Sequence, residues 1–304
     1  MKRFPFFLLL IISASIIITA CSAFNQSTIS ITDDLEREID LQEPAQKIIS
    51  LAASNTEILF AVGAGDQVIG RDDLSDFPPE VLDLPSMGGF EGYSLELIIS
   101  LQPDLVLAAE INSPELVHSI EELGITVFYL ANPEDLDGLF VNLKTVATLT
   151  GHEEETETLI QSLQERIEEV EKRLAGAINS PKVFYELDAS DPTKPWSVGA
   201  GTYHDTLIRM AAAENIAAGI EGLYPQISLE ELIVQNPDYI LLADAMWGIT
   251  PEQVAARPGW EDIKAVQDGN IVPFDGNLLD RPGPRLVDGL EELAKILHPE
   301  LYNE

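Results

Sequence analysis

Ser94-Leu-Glu-Leu-Ile-Ile-Ser-Leu-Gln-Pro-Asp-Leu-Val-Leu-Ala-Ala109 occurs a second time, without a gap, as Ser228-Leu-Glu-Glu-Leu-Ile-Val-Gln-Asn-Pro-Asp-Tyr-Ile-Leu-Leu-Ala243. Eight of the sixteen positions are identical, at an offset of 134. In each copy a serine suited to capping a helix is followed by one short apolar helical segment, and Pro-Asp stops that helix before a buried strand. The strand Lys47-Ile-Ile-Ser lies 135 residues before Lys182-Val-Phe-Tyr, so the flanking strands are nearly in phase with the repeat. A duplicated helix-turn-strand unit of this kind predicts two similar α/β lobes.

Outward from the repeat the pattern continues. Lys47-Ile-Ile-Ser-Leu-Ala reads as a buried strand, then Ser54-Asn55 as a turn and about Thr56 to Val62 as a helix. Asp104–Ala109, Ile125–Leu130, Lys182–Leu187 and Asp238–Ala243 are further apolar runs of strand length. Strands alternating with helices predict mostly parallel sheets, Rossmann-like, with helices covering both faces. One segment breaks the alternation. Glu153 to Ala175 holds no Gly or Pro, and Leu159, Leu163, Ile167, Val170 and Leu174 recur at spacings of three and four, which predicts a long helix of roughly 35 Å. With one apolar stripe and otherwise charged faces it reads as a strut. The expected organisation is an N-terminal lobe over 31–150, a backbone helix over 151–178 and a C-terminal lobe over 179–304.

The first residues set the compartment. Lys2 and Arg3 precede a charge-free run from Phe4 to Ala20, which reads as a signal peptide over 1–20. Ile18-Thr19-Ala20-Cys21 resembles a bacterial lipobox, predicting lipidation of Cys21 and a polar tether over 21–30; an ordinary cleavage site or a retained anchor is the alternative. Cys21 is the only cysteine, so no internal disulfide forms and the fold stands on its core. Against 52 acidic residues there are 17 basic ones, a net charge of −35. That excess excludes nucleic acid as a partner and suits a globule held at the membrane only by its lipid.

Catalytic signals are sparse. His118, His152, His204 and His298 are scattered, with no metal-ligand spacing, no nucleophile elbow and no phosphate loop. The expectation is a protein that is not an enzyme and holds no resident metal or cofactor. Aromatic residues stand out in turn-like stretches of both halves: Phe90, Tyr93, Trp196, Tyr203, Tyr224 and Trp247. They either cap the lobe cores or line a cleft suited to a flat, largely apolar ligand. Arg281 and Arg285, in Asp280-Arg-Pro-Gly-Pro-Arg, either meet an anionic or amide-rich ligand edge or are solvated loop residues. Glu96 and Glu230 take equivalent repeat positions in the first turn of a helix, where a carboxylate favours the dipole, and Ser228 with Glu231 suits a capping box. On two lobes related by a pseudo-twofold, both carboxylates would also face a twofold-symmetric partner with basic pockets.

The lipobox, the run Lys47-Ile-Ile-Ser-Leu-Ala-Ala-Ser-Asn-Thr-Glu-Ile-Leu-Phe-Ala-Val-Gly, Asp76-Phe-Pro-Pro, the paired Ser-Leu-Glu units and the long helix together resemble the periplasmic binding proteins of the cobalamin, siderophore and haem importers, across about residues 30 to 302. The resemblance implies the class III fold, with a ligand held between two lobes and little hinge closure. It implies an ABC permease dimer with its ATPase as partner, reached through Glu96 and Glu230. Nearest are the cobalamin binders, whose ligand contacts fall here on Leu74, Phe90, Ala109, Trp196, Tyr224, Asn277 and Arg281; Leu74 and Ala109 lack the aromatics those proteins carry. The expected ligand is therefore a corrinoid, with a ferric siderophore or haem as the alternative.

Overall fold

A computed structural model describes residues 29–302; the predicted signal peptide, Cys21 and most of the predicted tether lie outside them. The chain opens with an antiparallel pair, β1 (Ile29–Thr32) and β2 (Glu38–Leu41), in register Ile29 to Leu41. Ile29 and Ser30, expected in the tether, thus belong to the globule, because Ile29 and Ile31 pack against the core.

The N-terminal lobe follows as β3 (Ile48–Ser50), α1 (Ala53–Ala61), β4 (Val68–Gly70), the short pair β5 (Gly88–Gly89) and β6 (Gly92–Tyr93), α2 (Leu95–Leu101), β7 (Leu105–Ala109), α3 (Pro114–Glu121), β8 (Val127–Leu130) and α4 (Leu136–Thr150). Next comes α5 (Glu153–Leu174). The C-terminal lobe holds β9 (Lys182–Glu186), α6 (Tyr203–Met210), β10 (Glu214–Asn215), α7 (Leu229–Gln235), β11 (Tyr239–Leu242), α8 (Pro251–Ala255), α9 (Lys264–Asp268), β12 (Ile271–Pro273) and α10 (Leu286–Leu297). Each lobe carries a four-stranded parallel sheet. The orders are β4-β3-β7-β8 and β10-β9-β11-β12, the same topology twice.

The duplicated unit explains the match down to single residues. Ile48 pairs with Leu105, and their equivalents Val183 and Tyr239 pair in the other sheet. The Oγ atoms of Ser94 and Ser228 accept from the backbone N–H groups of Leu97 and Glu231. Each helix ends on a left-handed residue, Gln102 at φ 49° and Asn236 at φ 50°, which turns the chain into Pro-Asp. The aspartate then pins the neighbouring strand: Asp104 accepts from the amides of Gln46 and Lys47 at 3.0 and 2.9 Å, and Asp238 from that of Lys182 at 2.8 Å. Register is therefore set by a side chain as well as by the ladder. The predicted capping box is only half made, because Glu231 accepts from Gln235 Nε2 at 2.7 Å and does not reach back to Ser228.

Alternation along the strands assigns the core. Ile48 and Tyr185 face an inner cluster, Ile49 and Phe184 the outer cluster of their own lobe. The inner cluster runs unbroken through both lobes, because α4, α5, α6 and α10 fill the space between the two sheets. On α5 the buried residues are Thr156, Ile160, Leu163, Val170 and Leu174, with Leu159 and Ile167 only partly covered. The stripe is broader than predicted because α5 packs on α4 and α10 together. Arg166 of α5 also bonds Asp288 and Glu291 of α10 at 2.5 and 2.8 Å. No helix among the described residues is long and apolar enough to cross a membrane.

Charge ties the lobes a second time. Glu57 of α1 sits with its side chain 2% exposed and receives Arg285 through both oxygens, Nε at 2.8 Å and Nη2 at 2.5 Å. Arg281 Nη1 reaches the same carboxylate at 3.2 Å and Asp76 at 2.5 Å, while its Nη2 donates to the Leu74 carbonyl at 3.1 Å. The Arg285 guanidinium also lies 4.2 Å over the Phe77 ring. Removing the shared carboxylate leaves the largely covered Arg285 without an anionic partner and Arg281 with Asp76 alone. Glu57→Ala is expected to lower unfolding stability by about 3–5 kcal/mol in urea titrations, whereas Arg166→Ala, at a more exposed pair, costs about 1 kcal/mol or less. Equal effects would contradict this assignment.

Candidate ligand-binding cleft

Loops leaving the carboxyl ends of parallel strands are the natural place for a ligand, and here those of both sheets meet across a cleft of about 600 Å³. The N-terminal wall is built by Ala52–Ser54 after β3, Asp72–Leu74 and Asp76 after β4, Phe90 between β5 and β6, Ala109 and Ile111 after β7, and Asn132 after β8. The C-terminal wall is built by Leu187 after β9, Tyr203 and His204 at the start of α6, Tyr224, Met246 and Trp247 after β11, and Asn277, Asp280 and Arg281.

Apolar surface stands open at the mouth. Phe90 is 76% and Trp247 73% exposed, one from each lobe. Phe90 is presented by a tight turn that needs Gly88, at φ 102°, where a Cβ would lie 2.1 Å from the Gly92 carbonyl oxygen. Trp247 ends a 3-10 turn over Ala243–Trp247. Not every loop aromatic serves the mouth. Tyr93 is held inside by bonds to the Leu51 carbonyl and to Asn112, at 3.1 and 2.9 Å, and Tyr203 is buried and stacked on His204 with ring centroids 4.2 Å apart.

The polar wall is mainly acidic. Asp280 Oδ1 accepts from the Tyr185 hydroxyl at 2.9 Å and lies 3.1 Å from His204 Nε2. Burial raises the Asp72 carboxyl even though Ser75 and the Leu74 amide bond to it. The Arg281 hydrogen bond lowers that of Asp76. Burial pushes the Tyr93 phenol up to about 12, and the Asp72 charge adds to the effect.

Of the positions carried over from the cobalamin binders, Leu74, Phe90, Ala109, Tyr224, Asn277 and Arg281 all line the cleft. Trp196 does not. It bridges Asp188 and Gln226 as an added strand residue, its amide on the Asp188 carbonyl at 2.7 Å. Arg281 and Arg285, expected either at a ligand edge or in solvent, are both engaged across the lobes by Glu57, and Arg281 lines the cleft while so engaged. Glu96 and Glu230 are exposed on the first turns of α2 and α7. The histidines stay dispersed: His118 lies on the surface near Glu122, His152 precedes α5, and His298 is buried against the Ala211 carbonyl. Met246, Ile111 and the Asp72–Asp73 pair carried no sequence signal, since only the fold folds their loops inward.

Two lobes of one topology, a long connecting helix, a shared core and an open cleft between strand ends define a class III binding-protein architecture. The chain belongs to the periplasmic binding protein family, whose model matches residues 48–278. It is 28% identical over 279 residues to an ABC transporter substrate-binding lipoprotein of Bacillus subtilis, covering 91% of this chain and 87% of the relative. To a vitamin B12-binding protein of Vibrio cholerae it is 28% identical over 263 residues, covering 84% and 90%. Among solved structures, the periplasmic heme-binding protein of Roseiflexus sp. RS-1 superposes with a TM-score of 0.76 at 28% identity, covering 84% of this chain and 99% of that one.

The turn that carries Trp247 rests on a buried carboxylate pair. Glu186 is fully buried and held by Arg257 at 2.6 and 2.8 Å, and Arg257 stacks 4.5 Å over Trp260. Beside it, Asp244 is pushed up to about 7, by burial first and by the Glu186 charge second. A raised native value means the folded chain holds an extra proton between the ordinary carboxylate range and pH 7, so stability falls as pH rises through that window. Asp244→Asn is expected to raise the melting temperature at pH 8 and to have little effect near pH 4, checked by scanning calorimetry at both. A larger gain at acid pH would reverse the assignment.

Proposed function

We propose that this chain is the extracytoplasmic, lipid-anchored substrate-binding protein of an ABC importer, and that the ligand held between its lobes is a corrinoid. The carrying observation is the open cleft with Phe90 and Trp247 standing exposed on opposite lobes, two stiff faces suited to a broad, flat ligand. Likeness to the vitamin B12-binding protein over most of both chains supports the ligand class. Likeness to the heme-binding structure is what favours the second reading, a haem or ferric-siderophore carrier on the same scaffold.

The chain's own residues carry each step of the role. Cys21, outside the described residues, takes the lipid that keeps the globule at the outer face of the membrane, as the name of the Bacillus subtilis relative supports. The shared inner core and the Glu57 bridge hold the walls in place, so the cleft is largely preformed. Delivery falls to Glu96 and Glu230. Both carboxylates sit exposed at equivalent repeat positions, ready for basic pockets on a permease dimer with its ATPase.

Titration of the purified protein with cyanocobalamin, haemin and a ferric siderophore decides the ligand. Quenching of Trp247 fluorescence by cyanocobalamin is expected, and Trp247→Ala is expected to weaken binding at least tenfold, roughly the 1.4 kcal/mol that losing one aromatic face removes. Quenching by haemin alone would transfer the assignment to the second reading. The Glu96→Ala, Glu230→Ala double variant is expected to abolish uptake in cells while leaving ligand affinity unchanged. Normal uptake by that variant would remove the delivery role.

A further inference from the structure

Tyrosines apart, six ionisable groups line the cleft: Asp72, Asp73, Asp76, His204, Asp280 and Arg281. Arg281 is the one cation of fixed charge among them, and three of its five donors go to Asp76, Glu57 and the Leu74 carbonyl, with the side chain 11% exposed. Its charge is thereby cancelled before any ligand arrives. Among the described residues no lysine or arginine forms an ion pair with Asp72, Asp73 or Asp280; the one partner of Asp280 is His204. The wall a ligand meets is therefore negative.

The hydrogen-bonding inventory points the same way. Asp280 Oδ1 receives the Tyr185 O–H, and a carboxylate oxygen beside His204 Nε2 calls for a proton on that nitrogen. In the neutral ring, His204 Nδ1 is then left with a bare lone pair. Its side chain is 2% exposed, it lines the cleft, and Nδ1 has no hydrogen-bond partner. A buried acceptor without a donor is costly, and it adds to the excess of acceptors on this side of the cleft. The phenols facing this space agree: burial raises Tyr224 and Tyr203 first, and the charges of Glu110 and Asp280 add to it.

We infer that the polar wall of this cleft selects ligands presenting hydrogen-bond donors or positive charge, and rejects ligands of similar size presenting carboxylates or other anions. The inference rests on the binding role proposed above and carries it to the chemistry of the ligand's edge. Primary amides around a macrocycle, or a protonated amine on a ferric complex, fit the acceptors; propionates or catecholates meet like charge in a site of reduced dielectric.

Matched probes test it by calorimetry on the purified protein: cyanocobalamin against the same corrinoid with its peripheral amides hydrolysed to carboxylates, and a cationic ferric trihydroxamate against an anionic ferric tris-catecholate. In each pair the anionic member is expected to bind at least tenfold more weakly. The gap is expected to shrink in about 0.5 M salt, where charges more than a few ångströms apart are screened. It should shrink again in Asp73→Asn, a change on an exposed side chain outside the His204 network. An anionic probe binding as tightly as its partner, or a gap untouched by both salt and Asp73→Asn, would overturn the inference. Binding of the cationic trihydroxamate without cyanocobalamin would discard the corrinoid and keep the charge rule. Equal binding of both corrinoids would keep the corrinoid and discard the rule.

Discussion

The carboxylate of Glu57 is the point on which the two halves of this molecule agree. It lies buried on α1 of the first lobe and takes both nitrogens of Arg285 and one of Arg281 from the second. Three charges withdrawn from water stabilise one another only in this geometry, so the group specifies a single relative placement of the lobes. The inner hydrophobic cluster then fills the space that this placement leaves. Because Arg281 also reaches Asp76 and the Leu74 carbonyl, the same interaction shapes one end of the cleft and removes its only fixed positive charge.

Symmetry builds the scaffold and departures from it build the site. The two sheets share strand order, register, helix caps and the aspartate that pins the neighbouring strand. What lines the cleft lies in the loops beyond the strand ends, where the copies differ. The first lobe contributes acidic loops and Phe90; the second contributes Asp280, held by the buried Tyr185 and His204, and the turn bearing Trp247. A scaffold held this firmly leaves those loops free to differ without loss of fold.

The Ser54-Asn-Thr-Glu57 segment shows how a motif can carry resemblance for a mechanical reason. Asn55 donates to the Leu107 carbonyl at 3.3 Å, Thr56 bonds Ser50 and Ser75 at 2.8 and 2.7 Å, and Glu57 crosses to the other lobe. Asn55, Thr56 and Glu57 are buried because each one stitches α1 to a different element. The role of these three is assembly, while Ser54 lines the cleft.

Lobe number, the mostly parallel sheets, the long helix and the paired Glu96 and Glu230 were legible in the chain itself. They follow from periodicity and from a repeat, which are properties of neighbouring residues. Composition likewise argues against a nucleic-acid partner, and a single cysteine leaves no internal disulfide. The tertiary structure alone decided that Arg281 and Arg285 are spent on Glu57, more than two hundred residues away, and that Trp196 joins a strand edge while Trp247 stands at the mouth. It alone brought Asp72 from one lobe and Asp280 and the unpartnered Nδ1 of His204 from the other to a single cleft. Burial and long-range pairing set whether a charge is available to a ligand, and neither is encoded in the local spacing of residues.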